Sequence, residues 1–445
     1  MQMLRHGFLT LCCALPLAAQ QPTPVKIESF TLTNGLKVHV VEDRSAQVVA
    51  VNVWYDVGSR NERPGRTGFA HLFEHMMFQG SQNVGKMEHG QLVERAGGTY
   101  NGTTQPDRTN YFQTVPSNRL NLALWLEADR MRSLAISAEN LENQRQAVKE
   151  ERRLRVDNQP YTGAFIDSLP LLFDRDRCFA YAHSIIGSMS DLDAASVDDV
   201  RDFFRTHYAP NHATLVVVGD VTVAQVMRLT QQYFGGIPAG PSREPVRCES
   251  APGAGSASVR RVVDDKASLP AVLTAVRAVP PSHADYPALA LLSTILGGGE
   301  SSRLNLAMVR GSKSAVAVQA LHDPFGPMRG AGVFGALAIA NGGVPVDSVR
   351  SELARAMFDV ADRITAEELE KAKNSWRAGT IFGRQRAADV AEAVQYAALY
   401  LGGPDAVNTE AARYAAVTLA DLRRVAQTYL RPERSLTLVI APEGR

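Results

Sequence analysis

The 445-residue sequence lacks an excess of charge of either sign, long apolar runs and an abundance of cysteine. Its 47 Lys and Arg residues balance 46 Asp and Glu residues, so the net charge of +1 predicts no nucleic-acid partner and no anionic membrane surface. After the N-terminus, no stretch approaches the roughly 20 apolar residues that a transmembrane helix needs, which predicts that the chain has no stable membrane span. None of the four cysteines belongs to a metal-binding pattern.

The N-terminus combines Arg5 with an apolar run over residues 8–19 and a polar stretch, QQPTP. This three-part pattern is typical of a secretory signal peptide, so we expect residues 1–20 to be removed and the mature protein to be periplasmic or secreted. Two cysteines would leave with this segment. The other two, Cys178 and Cys248, could form a disulfide in an oxidising compartment, but sequence alone does not show whether they are close.

The length of the chain predicts more than one domain. Residues 248–258, CESAPGAGSAS, are mostly small, as in a flexible linker. They separate a predicted N-terminal zinc-binding peptidase domain, residues 26–247, from a predicted C-terminal homologous domain, residues 259–445. Hydrophobic residues make up 45% of the chain, which is enough for both domains to have a core.

Each half ends on a similar stretch of sequence. One stretch starts at Ser196 and the other at Thr418, and the same offset also pairs Asp199 with Asp421. In both, a hydroxyl residue caps a short amphipathic helix and a β-branched run follows as a buried strand. We therefore expect two copies of one α/β unit, although helix–strand pairs are common enough for a chance similarity.

The clearest functional motif is HLFEH, in a segment predicted to be helical from Thr67 to Gln79, with Thr67 as its N-cap. His71 and His75 lie about one helical turn apart, so their imidazoles can bind one cation. Glu74 lies at the edge of the same face. Apolar residues fill the rest of the helix surface, and burying these polar groups without a partner would be costly. A metal would remove that cost, whereas the alternative is a core helix with hydrogen-bonded histidines.

Zinc suits two imidazoles and a carboxylate, and a catalytic zinc site leaves a fourth position for water. Glu74 could then remove a proton from that water. The helix LENQRQAVKEERRL offers candidates for the third ligand. Its apolar positions place Glu151 on the inward face together with Gln144, whereas Glu150 should face solvent.

The surrounding segments have regular patterns as well. Residues 48–57 are predicted to form a strand, and residues 98–113 two polar strands around a turn at residues 105–107. Long helices are predicted over residues 118–133 and 137–155.

On these motifs the chain resembles the pitrilysin/insulinase family of inverzincins, whose signature is the inverted H-x-x-E-H, and in particular the bacterial branch similar to mitochondrial processing peptidase. The resemblance covers nearly the whole mature chain through LTNGLKV from Leu32, VGSRNERPGRTGFAHLFEHMMFQGS from Val57, GGTYNGTTQPDRTNYF from Gly97, YAPNHATLVVVGD from Tyr208 and GGGESSRL from Gly297. It implies an α+β fold of two homologous domains, each an antiparallel β-sheet packed with helices. The second domain would lack the metal motif.

The resemblance also implies a metal site with one zinc ion per chain, with Glu74 as general base and with three ligands, His71, His75 and Glu151. Asn101 and Gly102 match the edge strand on which the family pairs the backbone of an extended peptide substrate. Asn101 could instead be an ordinary strand residue beside a turn.

Two positions depart from the family's pattern. Gln144 stands where a second glutamate is frequent. Family members that act alone usually have an Arg and a Tyr seven residues apart over the active site, and here Arg310 matches but Ala317 replaces the tyrosine. We expect Arg310 to be a substrate-binding residue. We also expect a homologous partner subunit to supply the missing substrate-clamping pair in a heterodimer, with a homodimer as the other arrangement. Arg310 could also be an exposed helix residue.

The function that these observations predict is zinc-dependent endopeptidase activity on short or unfolded polypeptides. The alternatives are a non-catalytic structural or scaffolding subunit, since the resembled family includes such members, and a metal-binding module without hydrolysis. Retention of the metal motif favours the peptidase.

Overall fold

The computed structural model describes residues 23–248 and 257–443. The predicted signal peptide and residues 249–256 of the predicted linker lie outside the described residues. The strands form two sheets. The first contains β1 (Glu28–Thr31), β2 (Lys37–Glu42), β3 (Val48–Tyr55), β4 (Thr99–Thr104), β5 (Thr109–Pro116) and β6 (Ala213–Gly219). The second contains β7 (Ser258–Asp264), β8 (Ala271–Ala278), β9 (Ala315–His322), β10 (Gly332–Ala340) and β11 (Ser435–Pro442).

Within the described residues, eight α-helices precede the predicted linker and six follow it. The first eight are α1 (Phe69–Met76), α2 (Glu88–Arg95), α3 (Leu120–Ser133), α4 (Ala138–Arg152), α5 (Thr162–Ser168), α6 (Met189–Asp193), α7 (Val197–His207) and α8 (Val223–Phe234). The others are α9 (Tyr286–Gly297), α10 (Val346–Phe358), α11 (Ala366–Phe382), α12 (Ala387–Tyr400), α13 (Glu410–Ala415) and α14 (Leu419–Tyr429). None of these helices is both long and apolar enough to cross a membrane.

The two sheets repeat one arrangement of strands. Their orders are β1-β2-β6-β3-β5-β4 and β7-β11-β8-β10-β9. Most neighbouring strands are antiparallel, but β2 with β6 and β7 with β11 are parallel, at corresponding places in the two sheets. The predicted α+β fold of two sheets packed with helices is confirmed, with this one parallel pair in each sheet.

The helix that precedes β6 and the helix that precedes β11 are built alike. Ser196 caps α7 by accepting a hydrogen bond from the Asp199 amide, and Thr418 caps α14 in the same way from the Asp421 amide. The strands that follow occupy equivalent positions in the two sheets. The structure therefore contains the repeated helix–strand pair that the sequence predicts, while the domain bounds 26–247 and 259–445 stay a prediction. Ser258, placed in the linker from sequence, already belongs to β7.

Each half of the chain contributes a segment that packs against the sheet of the other half; we call these segments covering elements. Helix α12, from the second half, packs against the first sheet through Val390, Ala391, Val394 and Ala397. The segment that follows α5, from the first half, packs against the second sheet through Leu169, Phe173 and Tyr181. Each sheet is therefore partly covered by the other half of the chain. Gln395 of α12 adds polar contacts by donating to the backbone oxygens of Asn52 and Thr214.

Cys178 and Cys248 form a disulfide, which answers the question that their sequence positions left open. Cys178 is fully buried among the residues that cover the second sheet. The bond closes a 70-residue separation and joins this covering segment to Cys248, the first residue of the predicted linker. Constraining a loop of that size is worth about 2–4 kcal/mol in typical proteins.

Candidate metal centre

Helix α1 carries the HLFEH motif and begins in an unusual way. Its N-cap is Gly68 with φ of 85°, a left-handed conformation that favours glycine. Glu62 supplies the missing cap, because its buried carboxylate accepts from the Gly68 amide at 2.9 Å and from the Ala70 amide at 2.8 Å. The predicted start at Thr67 is wrong, since Thr67 donates instead to Asp191 through both its amide and its hydroxyl. A carboxylate at this position satisfies otherwise unpaired amides and suits the positive end of the helix.

The Glu62 carboxylate makes a third contact. His183 Nε2 lies 3.0 Å from Glu62 Oε2, and both side chains are almost fully buried. Burial raises the pKa of Glu62, and the hydrogen bond from His183 opposes that shift. The start of α1 is therefore tied to His183, on a segment more than 100 residues further along the chain.

The packing of α1 against α4 brings three predicted ligands together. His71 Nε2 lies 3.5 Å from Glu151 Oε2, and His75 Nε2 lies 3.1 Å from the same oxygen. One donor atom from each of the three side chains fits within 4.8 Å of the other two. Glu151 faces inward, with its side chain 20% exposed, whereas the Glu150 side chain is 56% exposed. This is the orientation that the helical periodicity predicts for both residues.

The electrostatics of this cluster favour metal-binding protonation states. Burial and the nearby His75 lower the pKa of His71 to about 4. The hydrogen bond with His75 lowers the pKa of Glu151, and Arg155 adds to this effect from 3.0 Å. A neutral imidazole and an ionised carboxylate are the forms that coordinate a divalent cation. In addition, His71 Nδ1 is buried with no hydrogen-bond partner among the described residues.

Glu74 lies next to this cluster and is held by a neighbouring strand. Thr104 of β4 donates its hydroxyl hydrogen to Glu74 Oε2 at 2.7 Å. Burial raises the pKa of Glu74, and the hydrogen bond from Thr104 opposes that shift. A buried carboxylate with a raised pKa beside a candidate metal site is a common arrangement for a general base.

A cavity of about 720 Å3 opens beside the cluster and is lined by both halves of the chain. The predicted site residues on its wall are His71, Glu74, His75, Asn101, Gly102 and Glu151. Phe325, Met328 and Val333 line it from the second half. The wall therefore combines one cluster of ionisable groups with an apolar surface, as in many binding sites for organic ligands.

Strand β4 forms the outer edge of the first sheet, so its free backbone groups are open to an added strand. The Gly102 amide donates to Asn101 Oδ1 at 2.8 Å. A Cβ atom at Gly102 would lie 3.1 Å from Tyr111 Cδ1 and 3.3 Å from Glu74 Cγ. A glycine here therefore keeps the space beside Glu74 clear. The substrate-binding roles of Asn101 and Gly102 stay predictions that this edge position suits.

Arg310 lies apart from the cavity beside the metal cluster. It belongs to the helical turn Asn305–Gly311, forms an exposed ion pair with Glu300 and does not line the described cavity. Ala317 is exposed on the edge strand β9. Its side chain is too short to replace the phenol of the expected tyrosine. The substrate-binding role of Arg310 therefore stays a prediction that this chain's own cavity does not support.

Sequence analysis missed several residues around the cavity. Thr104, two residues after Gly102, could have been found from strand alternation, because alternate side chains share a face. Tyr181, His183 and Phe325 carried no comparable signal. They reach the site only through the exchange of covering elements between the halves and through the loop between β9 and β10.

Known protein families match both parts of the chain. A model described as insulinase, peptidase family M16, matches residues 37–166, and one described as peptidase M16 inactive domain matches residues 194–375. The metal cluster lies in the part of the chain that precedes the second match. The name of the second model agrees with the absence of an H-x-x-E-H motif from that part of the sequence.

Individual relatives agree with these matches. The chain is 31% identical over 434 residues to zinc protease PqqE of Helicobacter pylori, covering 94% of this chain and 93% of that protein. A crystal structure of a protease from Helicobacter pylori superimposes with a TM-score of 0.87 at 30% identity, covering 94% of this chain and 100% of that one. The probable mitochondrial-processing peptidase subunit beta of Arabidopsis thaliana is 24% identical over 411 residues, covering 90% of this chain and 75% of that protein.

The two family matches define the class of protein, in which a domain of a peptidase family is followed by a domain described as inactive. The chain belongs to the insulinase family, peptidase family M16. Several of its relatives are named zinc proteases.

The Glu62 cap yields a prediction about stability. The substitution Glu62→Ala should lower the free energy of unfolding by at least about 2 kcal/mol, because it leaves buried amide donors and His183 without their acceptor. Urea denaturation followed by circular dichroism measures this change. Glu94→Ala, at an exposed position near the end of α2, is the control and should change stability by less than about 0.5 kcal/mol. Equal effects of the two substitutions would contradict the role of Glu62.

Proposed function

We propose that this protein is a zinc-dependent endopeptidase that hydrolyses short or unfolded polypeptides bound in extended form. The observation that carries the proposal is the convergence of His71, His75 and Glu151 next to Glu74, on the wall of a cavity that also exposes the edge strand β4. Membership of a peptidase family with relatives named zinc proteases supports it.

The three donors suit zinc by chemistry and by spacing. Two imidazoles with one carboxylate form a known catalytic zinc set, which leaves one position open. Zinc–ligand distances of about 2.0–2.2 Å place neighbouring donors of a tetrahedron about 3.3 Å apart. The two histidine nitrogens lie 3.5 Å and 3.1 Å from Glu151 Oε2. We therefore propose one zinc ion per chain, held by His71, His75 and Glu151.

The residues around this site have different roles in hydrolysis. A bound zinc ion supplies Lewis acidity, which makes water a stronger nucleophile at neutral pH. Glu74 accepts the proton of the attacking water and returns it to the amine nitrogen that leaves when the peptide bond breaks. Thr104 holds the Glu74 carboxylate in place during this exchange.

Strand β4 provides the surface that would hold the substrate. A peptide added to its open edge would form main-chain hydrogen bonds, so binding would depend more on an extended backbone than on side-chain identity. Gly102 lies beside Glu74, and Asn101, the residue before it on β4, also lines the cavity. Only a segment that is free to become extended can bind in this way, so the site suits short or unfolded polypeptides.

The substitution Glu74→Gln tests the chemical part of this proposal. We expect both the wild-type protein and the variant to bind zinc stoichiometrically, and the variant to lose hydrolysis by a factor of about 10²–10⁴, because the amide cannot accept the proton. A peptide-library digest with mass-spectrometric detection and a metal analysis of the same sample measure both properties. Wild-type protein that holds zinc but cleaves no peptide, even with its partner present, would support the alternative of a non-catalytic subunit.

We further propose that a homologous partner subunit completes the substrate site. Arg310 lies away from this chain's cavity, and Ala317 cannot supply the hydroxyl of the expected tyrosine. The name of the Arabidopsis thaliana relative, subunit beta, describes one part of a larger enzyme. A homodimer is the other possible arrangement, in which Arg310 of one copy would face the cavity of the next.

Partner dependence has a direct test. The purified chain should cleave peptides slowly, and addition of the homologous protein encoded nearby should raise kcat/KM at least about tenfold, as expected when missing transition-state contacts are supplied. If the partner supplies the whole Arg–Tyr pair, Arg310→Ala in this chain should leave the activity of that heterodimer unchanged, whereas a loss of activity would show that Arg310 itself binds substrate. Full activity of the chain alone, in monomeric form by light scattering, would contradict the partner proposal.

We also propose that the protein is exported to an oxidising compartment. The disulfide between Cys178 and Cys248 supports this location, because such bonds persist outside the reducing cytosol. We expect the protein isolated from its natural host to be found in the periplasmic or secreted fraction and to start after residue 20. A cytosolic protein with an intact N-terminus would contradict export.

A further inference from the structure

The buried side chain of Arg108, in the turn between β4 and β5, has no role in the chemistry proposed above. Arg108 is only 4% exposed. Burial lowers the pKa of its guanidinium, and the nearby Glu392 opposes that shift. A buried charge destabilises a protein unless it is paired and hydrogen-bonded, so its contacts indicate what it holds in place.

The contacts of Arg108 join the two strands of the β4–β5 hairpin. Its Nη1 donates to the Thr103 backbone oxygen at 2.9 Å and to Asn110 Oδ1 at 3.0 Å, and it also contacts the Thr103 hydroxyl. The guanidinium carbon lies 4.8 Å from the centroid of the Trp54 ring. Thr103, Asn110 and Trp54 are directly paired across β4, β5 and β3, so Arg108 lies against one face of the sheet.

The next residue along β4 faces the opposite side of the sheet. Successive side chains of a strand alternate between faces, and Thr104 accordingly points toward α1. There its hydroxyl donates to Glu74 Oε2 at 2.7 Å. Because Thr103 and Thr104 share a peptide unit, the contact that fixes the Thr103 carbonyl also fixes the strand that carries the Thr104 hydroxyl.

Arg108 is in turn held from the second half of the chain. Glu392 of α12 lies 3.7 Å from Arg108 Nη2. The same carboxylate accepts from Asn52 Nδ2 at 3.0 Å and from Asn110 Nδ2 at 3.4 Å. Helix α12 is the element that the second half contributes to cover the first sheet, so this polar network crosses between the two halves.

We propose that Arg108 and Glu392 are positioning residues for Glu74, so that the contact of α12 with the first sheet sets the orientation of the catalytic carboxylate. This inference rests on the proposed function of Glu74 as general base. The path runs from Glu392 through Arg108, Thr103 and Thr104 to Glu74. The second half, although it lacks a metal motif, thereby takes part in the arrangement of the active site.

The effect on catalysis follows from geometry. A displacement of about 1 Å in a reacting group can reduce the rate by about 10²-fold. Loosening β4 should therefore lower kcat. The metal ligands lie on α1 and α4, outside the hairpin, so zinc content should stay unchanged. A purely structural role would instead lower stability without a specific change in kcat.

The primary test compares substitutions at two positions of α12, Glu392 and Asp389. We expect Glu392→Ala to lower kcat for a model peptide about tenfold, with KM within twofold of wild type and one zinc per chain. The kcat of Glu392→Gln should lie between those of wild type and Glu392→Ala, because the amide oxygen can still accept hydrogen bonds from Asn52 and Asn110 while the negative charge facing Arg108 is lost. Asp389→Ala removes a carboxylate of the same helix that, among the residues the structure describes, pairs with Arg386 alone, and it should leave kcat within twofold.

A double-mutant cycle tests the path itself. Thr104→Val removes the donor to Glu74 with little change in shape, and Thr104→Ser should restore most of kcat. If Glu392 acts through Thr104, the effects of Glu392→Ala and Thr104→Val on kcat will be strongly non-additive. Additive effects, or equal kcat values for Glu392→Ala and Asp389→Ala, would overturn the inference.

Hydrogen–deuterium exchange provides a readout that does not depend on activity. Amides in the Thr99–Thr104 peptide should exchange at least about threefold faster in Glu392→Ala than in wild type or Asp389→Ala, because β4 loses its anchor. Unchanged exchange would overturn the inference whether or not the protein cleaves peptides. Wild-type protein that binds zinc and hydrolyses nothing, while β4 shows the predicted exchange, would contradict the proposed function alone.

Discussion

Two imidazoles and two carboxylates lie partly or largely buried where α1 packs against α4 and β4, and the rest of the structure has to keep them in place. Burying such groups is unfavourable unless each finds a partner. Arg155 pairs with Glu151 and Thr104 donates to Glu74, while Glu62 caps the start of the helix that carries both histidines. His71 Nδ1 has no hydrogen-bond partner among the described residues. The helix that carries the motif is thus positioned by contacts from outside it.

The exchange of covering elements explains why the site needs the whole chain. Helix α12 covers the first sheet and reaches the hairpin through Glu392, while the segment around Tyr181 covers the second sheet. Phe325 and Met328 then line the cavity from the second half. A half that lacks the metal motif can therefore contribute to the shape of the site and, by our inference, to the orientation of Glu74, the general base that we propose.

The sequence predicted those features that depend on local periodicity. Spacing within HLFEH put two imidazoles on one face, and the inward face of α4 distinguished Glu151 from Glu150. The repeated helix–strand pair followed from capping residues and β-branched runs. These patterns repeat over a few residues, so they are visible without knowledge of long-range contacts.

Features that depend on contacts between distant segments could not be predicted in this way. The start of α1 was placed at Thr67 because a hydroxyl residue is a common cap, but the cap is Glu62, which reaches the helix through a loop. The exchange of α12 between the halves and the pairing of Arg108 with Glu392 leave no periodic trace in the sequence. Arg310, matched by spacing alone, lies on an exposed turn outside the described cavity.

A zinc titration of two adjacent variants, Glu151→Gln and Glu150→Gln, tests directly whether Glu151 is a metal ligand. Both remove one negative charge from the same turn of α4, but only Glu151 faces the histidines. We predict that Glu151→Gln weakens zinc binding at least about 10²-fold, since a metal ligand is lost, and that Glu150→Gln binds zinc like wild type. Equal zinc affinities for the two variants would contradict this prediction.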